Sequence, residues 1–245
     1  MNNAIKEQYD IKANKYNSLR EVLHVKYVKR PSIEAYFSFN LKGKRVLDLA
    51  CGEGEMSRYL YKKGAIVTGL DNSKELISIA KDKNIKFDTD INYLHGDGFK
   101  LQNINQKFDF IVGIYFLNYV SSKRKLNDFL KLSKNFLKSD SKMIFLIPDY
   151  DFRKYYNNYG IESFTPKNEG DKLKFKIFHD DGQLGIELEC FYWKMKTYET
   201  AFKDAGFKFR EHALIISQEG LKKYSTKFWT ELKANPIFKI YELSL

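Results

Sequence analysis

A doubly wound α/β sheet is what this 245-residue chain predicts, and three observations carry that reading. Short apolar runs recur at Val46–Leu49, Ala65–Asp71, Ile91–Leu94, Phe108–Ile114 and Met143–Pro148. Between them lie stretches whose apolar residues repeat at helical spacing, the alternation that builds a parallel sheet with crossover helices. The first run ends in Ala50-Cys51-Gly52-Glu53-Gly54, where two glycines let backbone come close to a ligand.

The elements follow in order. Residues 4–36 carry an irregular apolar stripe that includes Tyr9, Tyr16, Leu23 and Tyr27, read as two helices broken near Asn14–Ser18, with Pro31 opening another. Tyr9 and Tyr16 either pack this segment on the body or close it over a ligand. After the glycine turn, Met56, Tyr59 and Leu60 resume at helical spacing and Gly64 ends the helix. The next strand ends in Asp71, followed by Asn72 and by Ser73 as a helix cap over Leu76, Ile77 and Ala80. Asp71 stands close to the offset of about 20 residues at which a carboxylate meets a ribose diol in nucleotide folds.

A third strand leads into His95-Gly96-Asp97-Gly98-Phe99, which places a second carboxylate at the same rim. His95 alone reads as structural. The fourth strand, Phe108–Ile114, holds Gly113 near its end and is followed by Tyr115, Phe116, Asn118 and Tyr119, where an open sheet presents ligands. A helix over 123–137, a Lys-Ser-Asp-Ser turn and a fifth strand come next. Two alternating runs around His179-Asp180-Asp181-Gly182 predict an inserted hairpin, with Trp193 beside it as a substrate-facing candidate. A helix over 196–206 and a strand in FKFREHALIIS complete the sheet, and the remainder reads as an amphipathic helical tail.

Composition bounds the function. With 43% hydrophobic and 16% aromatic residues the chain can bury one substantial core. No apolar run of about 18 residues is present and the start lacks a signal-peptide centre, so a soluble, cytoplasmic protein without a membrane partner is expected. Cys51 and Cys190 are too few for a disulfide framework or a cysteine metal site, and no metal is expected. The net charge of +11 raises nucleic acid as a partner. Only seven of the 42 basic residues are arginine, and the lysines are scattered, which favours a solvated surface.

The cofactor follows from what the turn lacks. Dinucleotide folds want a third glycine where this chain has Ser57, and no P-loop lysine signature is present. Asp48, Asp71 and Asp97 surround the turn instead, which suits a cofactor without phosphates that has a ribose diol, an adenine amine and positive charge: S-adenosylmethionine.

VLDLACGEGEMSRYL, TGLDNSKELISIA, HGDGF and FDFIVGIYFLNYV, in this order, resemble the cofactor motifs of class I S-adenosylmethionine-dependent methyltransferases over about Lys42–Asp149. KTYETAFKDAGF looks like the late helix of small-molecule members, and EQYDIKANKYN like their tyrosine-bearing amino-terminal segment. LACGEGEMSRYL and FLNYV look most similar to enzymes of the toxoflavin-biosynthesis type. The resemblance implies a Rossmann-like seven-stranded mixed sheet with helices on both faces, amino-terminal helices and a hairpin cap. It implies a single domain over 1–245: a helical lid over 1–40, a cofactor core over 41–149, a cap hairpin and the end of the sheet over 150–218, and a helical tail over 219–245.

For the site, the resemblance implies that Asp48, Ala50, Cys51 and Gly52 line the methionine portion. Asp71 and Asn72 hold the ribose. Gly96, Asp97, Gly98 and Phe99 frame adenine, Gly113, Ile114 and Tyr115 complete the floor, and Tyr9 and Tyr16 close over it. Asn118, Tyr119 and Trp193 are the acceptor-side candidates, and no catalytic base is identifiable. The expected activity is methyl transfer to N, O or C of a small aromatic or heterocyclic molecule. An RNA methyltransferase and a non-catalytic S-adenosylmethionine-binding protein are the rival readings, a nicotinamide dehydrogenase a weaker one, and a homodimer stays open.

Overall fold

The computed structural model describes residues 9–10, 21–150, 159–163 and 168–245. Tyr16, the break expected near Asn14–Ser18 and the aromatic stretch 151–158 lie outside the described residues. The apolar runs form the expected strands β1 (Arg45–Leu49), β2 (Ile66–Asp71), β3 (Asn92–His95), β4 (Phe108–Ile114) and β5 (Leu137–Pro148). They pair in parallel in the order β3-β2-β1-β4-β5. Val46, Leu47, Asp48 and Leu49 of β1 are all buried, as a central strand covered on both faces requires.

Ahead of the sheet, a π-helical turn at Val25–Lys29 runs into helix α1 (Arg30–Tyr36), with Pro31 in its first turn. Helix α2 (Glu55–Lys62) packs on β1 and β2, and α3 (Lys74–Phe87) on β2 and β3. Ser73 caps α3 by accepting the Leu76 N–H at 3.1 Å. Helix α4 (Lys123–Ser133) stops short of the expected Leu137. A 3-10 turn over Lys134–Phe136 leads into β5, and Lys138–Ser141, read as a turn, form an irregularity inside that strand, with Asp140 at φ +58°.

The main correction falls at the carboxy terminus. The helical tail expected over 219–245 contains α6 (Gln218–Lys223) and α7 (Thr226–Ala234), but residues 238–244 form strand β10 (Phe238–Ser244). Strand β10 inserts antiparallel between β5 and β9 (Lys208–His212), closing a seven-stranded mixed sheet in the order β3-β2-β1-β4-β5-β10-β9. Phe238, Ile240, Tyr241 and Leu243 are buried and Lys239 and Glu242 half-buried, so the strand does not alternate strictly and shows no clean period of two. Ahead of β9, α5 (Met195–Asp204) packs on α4.

The inserted hairpin is a separate three-stranded antiparallel sheet of β6 (Ile161–Ser163), β7 (Lys172–Phe178) and β8 (Leu184–Phe191). Its turn is the expected one, with Gly182 at φ +80° and its N–H bonded to the His179 carbonyl at 2.9 Å. No helix among the described residues is long and apolar enough to cross a membrane.

Candidate active site

The end of β1 and the turn behind it are held from two sides. The Cys51 N–H donates to the Leu70 carbonyl at 3.2 Å, and the Gly52 N–H to Asp71 Oδ2 at 2.8 Å. The other Asp71 oxygen accepts the Ser73 N–H at 2.8 Å. One carboxylate thus fastens the turn after β1 to the turn after β2. Ala50, Gly52 and Gly54 all have positive φ. A Cβ on Gly52 would meet nothing within 4 Å, whereas one on Gly54 would collide with Tyr93 and Arg58. The two glycines therefore serve different ends, open space over the turn and close packing beneath it.

Ser57, where a nucleotide fold would place its third glycine, donates to Asp48 Oδ2 at 2.6 Å. Asp48 is only 1% exposed, and burial pushes its carboxyl up to about 7, opposed by the Ser57 hydrogen bond and aided by the charge of Asp71. Asp71 is also raised, by burial first, against the backbone N–H groups of Ser73, Gly52 and Asn72. Glu53 is neutralised by ion pairs with Lys83 and Arg58.

A cavity of about 250 Å³ opens over this turn. Asp48, Ala50, Cys51, Gly52, Asp71, Asn72, Gly98, Ile114 and Tyr115 line it, as does Tyr9. Tyr115, at φ +56°, has its N–H held by the Leu146 carbonyl at 3.0 Å. Asn118 and Tyr119 also face the cavity, and the Tyr9 and Tyr119 hydroxyls are hydrogen-bonded, with their rings edge to face at 5.7 Å.

Other candidates lie elsewhere. Gly96 and Asp97 shape the turn after β3 without lining the cavity: the Gly96 N–H bonds the Asp71 carbonyl, and Asp97 accepts the Phe99 N–H at 3.0 Å. Phe99 stacks on Phe116 at 4.3 Å, and Gly113 leaves room for the Phe145 ring, which a Cβ would approach to 2.8 Å. Trp193 is a correction. It is 5% exposed, off the cavity, with its indole N–H donating to the Val120 carbonyl at 2.9 Å. Its flat ring fills core space beside Gly170 instead of facing a ligand.

The inserted hairpin reads in the sequence as a cap that could roof the acceptor pocket, without its wall residues; His24 escapes the sequence altogether. The cap sheet supplies Phe175, Ile177 and Leu188 to the cavity wall, facing Tyr150 and Phe238 from β5's end and β10. His24 also lines it, 3% exposed, with Nδ1 3.2 Å from the Tyr159 carbonyl. Burial lowers its pKa to about 4. A lone histidine ahead of a helix has no motif, so only the fold reveals it.

Residues 46–140 match the methyltransferase domain family. Over 139 residues the chain is 35% identical to the ubiquinone biosynthesis O-methyltransferase of Coxiella burnetii, covering 55% of this chain and 58% of that protein. The matched region thus spans little more than half of that relative. An S-adenosylmethionine-dependent methyltransferase from Clostridium acetobutylicum superposes with a TM-score of 0.65 at 24% identity, covering 97% of this chain and 98% of its own. The DhpI-SAM-HEP complex superposes with a TM-score of 0.65 at 16% identity, over 98% and 95% of the two chains. The chain thus matches the methyltransferase domain family over residues 46–140 and shares, with the sheet order β3-β2-β1-β4-β5-β10-β9, the fold of these solved S-adenosylmethionine-dependent methyltransferases.

Proposed function

We propose that this chain transfers a methyl group from S-adenosylmethionine to N, O or C of a small molecule with an aromatic or heterocyclic body. The observation that carries the reading is the continuity of one cavity from the Asp48–Gly52–Asp71 turn to the wall of Phe175, Ile177 and Leu188. A donor and an acceptor would share a single space there. The likeness of the FLNYV and glycine-turn segments to toxoflavin-biosynthesis enzymes belongs to the same proposal.

The residues fit the donor. The open face of Gly52 leaves the space that a Cβ would occupy, and the Asp71 carboxylate, with backbone N–H groups of Gly52, Asn72 and Ser73 on it, keeps acceptor capacity for a ribose hydroxyl. The Asp48 carboxyl supplies negative charge toward a cationic ligand, at the pH where it ionises. When bound, the donor brings a methyl group already activated by its sulfonium. The work left to the protein is alignment, which contributes roughly 7–11 kcal/mol when geometry is favourable. Tyr9 and Tyr119, joined through their hydroxyls, fix the shape of the space between the two ends.

Calorimetric titration with S-adenosylmethionine and S-adenosylhomocysteine tests this. Binding of both, followed by methyl transfer to small phenols, amines or heterocycles, is the expected result, and no binding of either overturns it. Preserved binding without transfer to any of a broad acceptor panel would favour a non-catalytic role. Salt-sensitive methylation of RNA would favour a nucleic-acid acceptor.

A further inference from the structure

The acceptor end of the cavity has a chemical signature of its own. Among the described residues, its wall from β5's end, the cap sheet and β10 carries no charged side chain: Pro148, Tyr150, Phe175, Ile177, Leu188 and Phe238 form it. An ionic group placed against these six side chains would lose hydration without gaining a counter-charge from them; the charged lining residues Lys29, Arg30 and Glu34 come from the amino-terminal side of the cavity.

Asn118, 1% exposed, is the polar exception. It neighbours Cys190, whose thiol is pushed up to about 12 by burial, opposed by the side-chain contacts of Tyr150 and Asn118. Cys190 in turn donates to the Tyr150 hydroxyl at 3.2 Å. Asn118 Oδ1 is buried with no hydrogen-bond partner among the described residues. Buried carbonyl oxygens are rarely left so, and an unmet acceptor in a ligand cavity marks a place where the ligand supplies the donor. His24 adds a second acceptor. A carbonyl can only receive, so the contact with the Tyr159 carbonyl places the proton on Nδ1, and the neutral ring keeps its lone pair on Nε2.

Resting on the methyltransferase reading above, we propose that the acceptor is an uncharged molecule whose apolar ring bears a hydroxyl or N–H donor, received by Asn118 Oδ1, with His24 Nε2 as a second acceptor in the same cavity.

The test is calorimetric binding of p-cresol, indole, toluene, benzoate and benzylammonium to the full chain, with and without S-adenosylhomocysteine. We expect p-cresol and indole to bind about tenfold or more tighter than toluene, and both ions to bind more weakly than p-cresol. In Asn118→Leu the preference over toluene should collapse while S-adenosylhomocysteine affinity stays as in the parent. Should that variant fail to fold, the ligand ranking on the parent chain decides alone. Equal binding of toluene and p-cresol, stronger binding of either ion, or no binding of any probe overturns the proposal. Failure of S-adenosylhomocysteine to bind, with the ranking intact, removes the methyl-donor reading and leaves the cavity's preference standing.

Discussion

The Gly52 amide and the Asp71 carboxylate, 2.8 Å apart, join the turns after two adjacent parallel strands. Asp71 is therefore both a wall of the cavity and a brace of the turn that shapes it. Asp71→Ala is expected to weaken S-adenosylhomocysteine binding by at least about tenfold and to lower stability by about 1–3 kcal/mol, since two backbone donors lose their acceptor. Calorimetry and urea melts read the two effects separately, and a change in affinity without any change in stability would contradict the bracing role.

Asp48 links stability to pH. Its folded value near 7 lies above the usual carboxylate range, so between about pH 4 and 7 the native state holds a proton that the unfolded chain releases. Its contribution is most favourable below about pH 4, is lost as pH rises toward 7 and is flat above. Asp71 is shifted in the same direction. Asp48→Asn should therefore reduce the fall in urea midpoint between pH 5 and pH 8. An unaltered fall would show that the Asp48 carboxyl ionises at its ordinary pH.

Trp193 is packed in the core, off the cavity. Trp193→Phe removes the donor to the Val120 carbonyl and is expected to destabilise by about 1–3 kcal/mol. S-adenosylhomocysteine affinity and the ranking of small aromatic probes should not move, and a changed ranking would return Trp193 to the acceptor side.

Strand β10 supplies a stability test. Ile240 is fully covered and lies between Leu146 and His212 in the sheet. Ile240→Ala should lower the unfolding free energy by about 2–5 kcal/mol, measured by urea titration. A loss below about 1 kcal/mol would mean that the last strand is peripheral to the core.

What the sequence discloses depends on how local the cause is. The glycine turn, the Ser73 cap and the limits of β4 rest on neighbouring residues, and each is readable from a window of ten. Strand β10 was hidden because its partners lie far away in the chain and it follows an amphipathic helix that seemed to continue. Strand β6 is three residues long, too short to show a period. Trp193 illustrates a different limit: an aromatic residue beside a hairpin advertises bulk, but which way the ring points is decided by the Val120 carbonyl and by Gly170. His24 and the carbonyl of Tyr159 that orients it are 135 residues apart, a pairing no spacing rule encodes.

The cap sheet shares no strand with the seven-stranded sheet, yet Phe175, Ile177 and Leu188 from it complete the cavity. One wall of the cavity therefore stands on a hydrogen-bond ladder of its own, separate from the one that holds Asp48 and Asp71. Strands β7 and β8 pair only within the cap sheet, apart from the ladder that carries Asp48 and Asp71.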